Sequence, residues 1–179
     1  MIKNKNIVFI AKSLDGYIAG KNGDLEWLHA IPNPENNPMG FTDLMNEVDA
    51  IVMGRTTFET VCSFNVDWPY NKPVFVLSNS LKEVPQDYAE KVTVLKGNIE
   101  DILEKIHHQG FFKLYIDGGK IIQSFLEKDL IHELRISTIP ILLGEGTPLF
   151  DKLPKVLEFN HVKTNVFLNQ IVQSFYERK

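Results

Sequence analysis

Several classes of protein are excluded by what this 179-residue sequence has little of. It contains a single cysteine, Cys62, so no disulfide can form within the chain, and we expect a reducing, cytoplasmic location. The formal net charge is −4, whereas nucleic-acid-binding proteins generally carry a basic face. No apolar run approaches the roughly 18 residues that cross a bilayer, and the histidines show no metal-ligand spacing. We therefore expect no nucleic-acid partner, no membrane partner and no metal site.

The composition and the pattern of apolar residues predict one globular domain, residues 1–179, of α/β type. The apolar fraction of 44% and the charged fraction of 23% are ordinary for such a domain. Short apolar runs alternate with helical patterns, which predicts a mainly parallel sheet. The predicted strands are 7–11, 50–53, 73–77, 91–95, 114–116 and 134–143. In the last of them, Pro140 indicates an edge strand or a bend. The predicted helices are 41–48, one from 57, 98–110 and 120–128. A hairpin of 160–163 and 166–176 closes the chain, with its turn near Thr164-Asn165.

Two helix starts carry recognisable capping residues. Asn98 is a good N-cap, and apolar residues at 99, 102, 103 and 106 follow at helical spacing before Gly110. Thr42 is the expected N-cap of the helix 41–48.

Two strands end at glycine and pass at once into a helix. The first reads Met53-Gly54-Arg55-Thr56-Thr57, and the second Ile116-Asp117-Gly118-Gly119-Lys120. Such a junction leaves backbone N–H groups free at a helix N-terminus, where a phosphate can bind. Two junctions predict a ligand with two phosphates, or one pyrophosphate, and hence a dinucleotide. Ordinary tight turns, with Arg55 in a surface ion pair, are the alternative.

A third candidate element is the end of the strand 73–77. Leu77 is followed there by Ser78 and Asn79, which can hydrogen-bond an adenosine or its phosphate, because ligands of open α/β sheets bind at the carboxyl ends of strands. Lys96, just beyond the next strand, can add a cation. A polar loop and a solvated lysine are the alternative.

These motifs, in this order, resemble the dihydrofolate reductase superfamily. Val52-Met53-Gly54-Arg55-x-Thr57-Phe58, Val76-Leu77-Ser78, Ile116-Asp117-Gly118-Gly119-Lys120 and the final segment 171–179 are similar to segments of dihydrofolate reductases. Ala11-Lys12-Ser13-Leu14-Asp15-Gly16-Tyr17-Ile18-Ala19 and the segment 141–150 are more similar to the reductase domain of bacterial riboflavin biosynthesis. The resemblance covers nearly the whole chain.

The resemblance implies a central, mostly parallel sheet of about eight strands, with helices on both faces and a C-terminal antiparallel hairpin. It also implies NADPH as cofactor, hydride transfer to a small heterocycle, and a possible homodimer. The implied cofactor-binding residues are Ala11, Ile18, Gly54, Arg55, Thr56, Thr57, Leu77, Ser78, Asn79, Lys96, Asp117, Gly118, Gly119 and Lys120. Trp27, Phe41 and Thr138 are the implied substrate-binding residues.

The expected proton donor is less clear from the sequence. Dihydrofolate reductases carry a carboxylate at a place that falls near 38–40, where this chain has none. Asp43 comes one turn later, Glu26 precedes Trp27, and Asp15 belongs to a turn near the implied substrate; each is a catalytic candidate, and each can instead be a solvated or turn residue. The missing acid favours a pyrimidine of the riboflavin-pathway type, as in 5-amino-6-(5-phosphoribosylamino)uracil reduction. Dihydrofolate reductase and a non-catalytic nucleotide-binding module are the alternatives.

Overall fold

The computed structural model describes residues 4–64 and 66–179. The strands are β1 (Lys5–Ser13), β2 (Tyr17–Ala19), β3 (Ala50–Gly54), β4 (Val74–Leu77), β5 (Val92–Leu95), β6 (Lys113–Asp117), β7 (Glu133–Ile139), β8 (Thr147–Pro148), β9 (Phe159–Phe167) and β10 (Ile171–Arg178). The α-helices are α1 (Phe41–Glu47), α2 (Arg55–Ser63), α3 (Ile99–His108) and α4 (Gly119–Glu127). Within the described ranges, no helix is both long and apolar enough to cross a membrane.

Eight strands form one sheet in the order β5-β4-β3-β6-β1-β7-β10-β9. All neighbours from β5 to β7 are parallel, and β10 and β9 add an antiparallel pair. β2 and β8 form a separate two-stranded sheet. The predicted fold class is therefore confirmed.

The two faces of the sheet bury different residues, because successive strand side chains point to opposite sides. Ile7 and Ile51 pack with α1 and with Phe58 of α2 on one face, which we call the α1 face. Val8 and Val52 pack with α3 and α4 on the other. Helices thus cover both faces, as the resemblance implied.

Two local predictions are wrong. The final hairpin turns at 168–170, where Leu168 and Asn169 both have positive φ, whereas Thr164-Asn165 lie within β9 opposite Ser174 and Gln173. Positive φ at two successive positions of a hairpin turn matches the twist of the strands it joins, and Leu168 gives no signal of it in the sequence. α1 begins after Gly40, a left-handed residue with φ 87, so Thr42 is not its N-cap.

The predicted caps of α3 agree with the structure, but a third local prediction is wrong, because the strand expected at 134–143 ends four residues earlier. Asn98 caps α3, since its Oδ1 accepts the Asp101 N–H at 2.9 Å, and Gly110 follows the helix end with φ +89. β7 ends at Ile139, directly before Pro140, which has no N–H to donate.

A network of ion pairs fixes α1 to the sheet. Lys5 on β1 bonds Glu47 of α1 at 3.0 Å and Glu133 of β7 at 2.6 Å, and Arg135 of β7 binds both carboxylates. The side chains of Arg135 and Glu133 are 8% and 7% exposed. Each charge is therefore stabilised mainly by the opposite charge of its partner and little by water. Burial raises the pKa of Glu47, but hydrogen bonds from Arg135 and Lys5 outweigh it, and the pKa lies below its ordinary value.

Replacing Arg135 with Met should lower the free energy of unfolding by about 3–5 kcal/mol, because it leaves the buried Glu133 carboxylate with only one cation. Urea denaturation measures this. Lys128→Met is the matched control, since Lys128 pairs with Glu100 in solvent and should lose at most about 1 kcal/mol. Similar losses in both variants would show that the network is no stronger than a surface pair.

Candidate active site

The two glycine junctions lie side by side at the carboxyl edge of the sheet. β3 and β6 are parallel neighbours, and Met53 is the register partner of Asp117. From this point the chain runs through α2 to β4 on one side and through α4 to β7 on the other. Connections that diverge in this way open a crevice between the strand ends, which is where open α/β sheets bind ligands.

Each glycine makes room for the helix of the other junction. A Cβ on Gly118, where φ is +89, would lie 2.2 Å from Oγ1 of Thr57 on α2. A Cβ on Gly54 would lie 3.1 Å from Cγ1 of Ile121 on α4. The structure thus brings Gly54, Gly118 and Thr57 into one site, where a side chain would clash at residue 118 and be crowded at residue 54.

The N-termini of α2 and α4 both open into this crevice without a side-chain cap. Their N-cap residues are Gly54 and Gly118, and among the described residues no side chain accepts a capping hydrogen bond from the N–H groups of either helix start. Uncapped N–H groups and the positive ends of two helix dipoles favour an anion here. Thr56 and Lys120, the predicted flanking residues, are both exposed at these starts.

Arg55 opens α2 and is half-exposed. Its Nε lies 3.6 Å from Oε1 of Glu59, too long for a hydrogen bond, and both side chains are exposed by about half, at 45% and 51%. An ion pair of this kind contributes little, so the guanidinium remains able to bind a phosphate.

The predicted adenosine side continues from Arg55 along the same edge. Gly54, Leu77 and Leu95 form one register row across β3, β4 and β5. The residues that follow them, Arg55, Ser78 and Lys96, therefore leave the sheet side by side, with Asn79 next to Ser78. The Ser78 hydroxyl accepts the N–H groups of Ser80 and Leu81, at 3.1 and 2.9 Å, which fixes its oxygen in the turn.

The small sheet of β2 and β8 covers the second junction. A Cβ on Gly119 would lie 2.7 Å from Cδ1 of Ile18 and 3.7 Å from Cγ2 of Thr147. The predicted nicotinamide-side residue Ile18 is therefore next to the Gly-Gly turn. Ala11, the other such residue, is half-buried on β1.

Asp15 holds the loops beside this small sheet. It accepts the Ser13 hydroxyl at 2.5 Å and the N–H groups of Leu143 and Gly144 at 3.1 and 2.7 Å. The Ser13 hydroxyl, followed by these N–H groups, keeps the pKa of Asp15 below its ordinary value despite some desolvation. Such contacts favour a positioning role for Asp15 over proton donation.

Asp117 is the acid that the structure places at the centre of the site. Its Oδ1 accepts the Gly118 N–H at 2.8 Å, and it lies near the rings of Tyr70 and Tyr115. Burial raises the pKa of Asp117 to about 6, because desolvation outweighs the hydrogen bonds that stabilise its charged form. From its place in the sequence, Asp117 was expected only to bind the cofactor. Its signal in the sequence is an acid at the end of the apolar run 114–116.

The other predicted acids point away from this centre. Phe41 packs inward against Phe9 and Tyr70, with ring centroids at 6.0 and 6.4 Å. Asp43, two positions later, therefore lies on the outer side of α1 and is exposed. Glu26 is also exposed, because its neighbour Trp27 takes the buried position, at 5% exposure.

The predicted substrate side lies on the α1 face, except for Thr138. Trp27 packs with Ala11, Ile139 and Ile171, and Phe41 lies over β1. Thr138 follows Ser137 on β7, and Ser137 bonds Gln173 on the α1 face. By strand alternation Thr138 lies on the opposite face, so the structure separates it from Trp27 and Phe41. Sequence patterning did not identify Ser137 or Gln173.

The sequence profile of the RibD C-terminal domain family matches residues 4–173. The chain belongs to this family. Among family-level relatives, the uncharacterized protein YwjB of Bacillus subtilis (strain 168) is 31% identical over 180 residues, covering 99% of both proteins. A crystal structure of a "Putative riboflavin biosynthesis protein" from Shewanella sp. PV-4 is 55% identical, with a TM-score of 0.95 over 98% of this chain and 99% of that one.

The RibD C-terminal domain of this chain has the dihydrofolate-reductase-like fold. Dihydrofolate reductase from Enterococcus faecalis, complexed with NADP(H), has a TM-score of 0.64 at 20% identity, covering 97% of this chain and 96% of that one. This likeness concerns the fold alone. The recognised superfamily, and the closer resemblance to the riboflavin reductase domain, are confirmed. In residues 4–64 and 66–179, no group of three or more His, Cys, Asp or Glu is placed to hold a metal ion.

The packing of Thr57 on Gly118 can be tested by a double-mutant cycle. Gly118→Ala should lower the free energy of unfolding by about 1–3 kcal/mol more than Gly110→Ala, which has the same φ of +89 but nothing within 4 Å of an added Cβ. Thr57→Ala should recover part of that loss in the double variant, because it removes the clashing oxygen. Additive losses, measured by urea denaturation, would contradict the contact between the two junctions.

Proposed function

We propose that this protein is an NADPH-dependent reductase of a small nitrogen heterocycle, of the riboflavin-pathway pyrimidine type. The observation that carries the proposal is the pair of uncapped helix starts, α2 and α4, which share one glycine-floored crevice. The residues fit a pyrophosphate, since glycine at both N-cap positions leaves the first N–H groups of α2 and α4 without a side-chain cap. Family membership supports the same reading.

The adenosine end of the cofactor would lie along the row that begins at Arg55. The guanidinium of Arg55 and the ammonium of Lys96 would bind a 2′-phosphate, with the Ser78 hydroxyl beside them. This is the basis for preferring NADPH to NADH.

NADPH, when bound, supplies a hydride. Reduction of a carbon–nitrogen double bond also needs a proton, which goes to nitrogen while the hydride goes to carbon. Asp117 is placed to hold that proton, because its pKa of about 6 leaves part of the carboxyl protonated near neutral pH. Phe41, Tyr70 and Phe9 would hold a flat ring next to Asp117 and exclude water from it.

The proposed function is tested by following NADPH oxidation with 5-amino-6-(5-phosphoribosylamino)uracil and, separately, with dihydrofolate. We expect turnover with the uracil compound, because the acids that would serve a folate, Asp43 and Glu26, are exposed. Turnover with dihydrofolate alone would identify a dihydrofolate reductase. Tight NADPH binding with no turnover of either compound would identify a non-catalytic nucleotide-binding module.

Arg55→Ala should weaken NADPH binding by about tenfold and NADH binding much less, because only NADPH carries the 2′-phosphate that a charge-assisted contact would recognise. Titration calorimetry with both cofactors measures the difference. Lys120→Ala is the matched control, since Lys120 lies at the pyrophosphate junction and should affect both cofactors alike. Equal losses for NADPH and NADH in Arg55→Ala would refute its role at the 2′-phosphate.

Asp117→Asn should lower kcat by roughly 10²–10⁴-fold, because the amide keeps the bond to Gly118 N–H but has no acidic proton to give. In the unmodified protein kcat should fall as the pH rises above about 6, since Asp117 then loses its proton. The variant should lack this decrease. A pH-independent kcat before mutation, or an equal loss in Asp43→Asn, would assign the proton to another group.

A further inference from the structure

Three residues form one row across the α1 face, beside the proposed substrate position. Ala11 of β1 is the register partner of Ser137 on β7, and Ser137 is the partner of Gln173 on β10. Asp117 lies on the same face, one strand beyond β1. β1, which carries the small residue Ala11, thus lies between the acid on one side and the polar pair Ser137 and Gln173 on the other.

The buried amide of Gln173 is only half used by the protein. Its side chain is 0% exposed, and its Nε2 donates to the Met39 carbonyl at 3.1 Å and to the Ser137 hydroxyl at 2.9 Å. Its Oε1 accepts no hydrogen bond from the described residues. Burying an acceptor without a donor costs free energy, so a role confined to holding Met39 does not explain why this oxygen is here.

Oε1 lies next to Gly40, directly before the first turn of α1. A Cβ on Gly40 would lie 3.2 Å from Oε1 and 3.8 Å from Cε2 of Phe9. Because Gly40 has no side chain, nothing at this position crowds the amide oxygen or the Phe9 ring, and Phe9 in turn contacts Phe41. An aromatic wall next to an unpaired acceptor suits a flat ring that carries an N–H group.

Ser137 completes the hydrogen-bonding pattern. Its oxygen accepts from Gln173, and its own hydroxyl proton is left to donate to another acceptor. A donor next to an acceptor is complementary to a lactam edge, in which a ring carbonyl stands beside a ring N–H. An anionic substrate group is less suited to this place. The nearest cation on β7, Arg135, lies two residues before Ser137 and is already paired with Glu47 and Glu133.

We infer that Gln173 and Ser137 read a lactam edge of the substrate ring, with Gln173 Oε1 accepting the ring N–H and the Ser137 hydroxyl donating to the adjacent carbonyl oxygen. This inference rests on the proposed function, since it places the heterocycle on the α1 face. It makes the pair specificity-determining residues and leaves proton transfer to Asp117.

The test compares the binding of 6-(ribitylamino)uracil with that of its N3-methyl derivative, by titration calorimetry in the presence of NADP⁺. Methylation removes the N–H, so the protein should bind the derivative about tenfold more weakly. Gln173→Met, which keeps the volume but not the acceptor, should bind both compounds with similar affinity. Ser174→Ala is the matched control, because Ser174 is the next residue on β10, points to the other face, and should keep the tenfold ratio.

Equal binding of the two compounds before mutation would overturn the inference, as would failure to bind the unmethylated compound or an unchanged ratio in Gln173→Met. The comparison before mutation needs no variant, so it decides the matter even where Gln173→Met does not fold. Because these are binding measurements, selective binding without NADPH oxidation would refute the reductase function and leave the lactam-reading pair intact.

Discussion

The close approach of two helix N-termini at the ends of β3 and β6 constrains the rest of the structure. Thr57 of α2 packs where Gly118 has no side chain, and Ile121 of α4 packs where Gly54 has none. The positive ends of two helix dipoles are therefore adjacent, and without an anion they repel each other. Arg55 and Lys120 add positive charge at the same place in a chain whose net charge is −4. The positive potential is local, and it favours a compact polyanion over an extended one such as a nucleic acid.

The α1 face divides into a fully paired half and a half that leaves polar atoms unpaired. Toward the amino ends of β1 and β7, the carboxylates of Glu47 and Glu133 are balanced by Lys5 and Arg135. Toward the carboxyl edge, Trp27 Nε1 and Gln173 Oε1 are buried with no hydrogen-bond partner in residues 4–64 and 66–179. The paired half holds α1 in position, and α1 in turn holds Phe41 and the Gly40 turn over the unpaired half. Stability is thus concentrated beside the region where a ligand could supply the missing hydrogen bonds.

The features that the sequence predicted well are those with local causes. Apolar runs, the Asn98 cap and the glycines at strand ends all act within a few residues, so strand and helix positions were predicted closely. The order of the strands and the register of β10 against β7 depend on contacts between distant residues, and no local pattern specified them. Ser137 and Gln173 became visible only once that register put them side by side. Asp43 was a reasonable expectation from spacing along the chain, but the inward packing of Phe41 turned it to solvent.

The proposed proton donor lies on β6 and not on α1, so its pKa would depend on whether the cofactor is bound. Asp117 accepts the N–H of Gly118, the residue whose junction would hold the pyrophosphate. A bound phosphate would bring negative charge close to this carboxyl, and a nearby like charge raises the pKa of an acid. The pKa of Asp117, already about 6 from burial, would then rise further toward neutral pH. In this arrangement the acid would be more fully protonated with the proposed cofactor bound than without it, so the proton would be available at the stage when a hydride can be transferred.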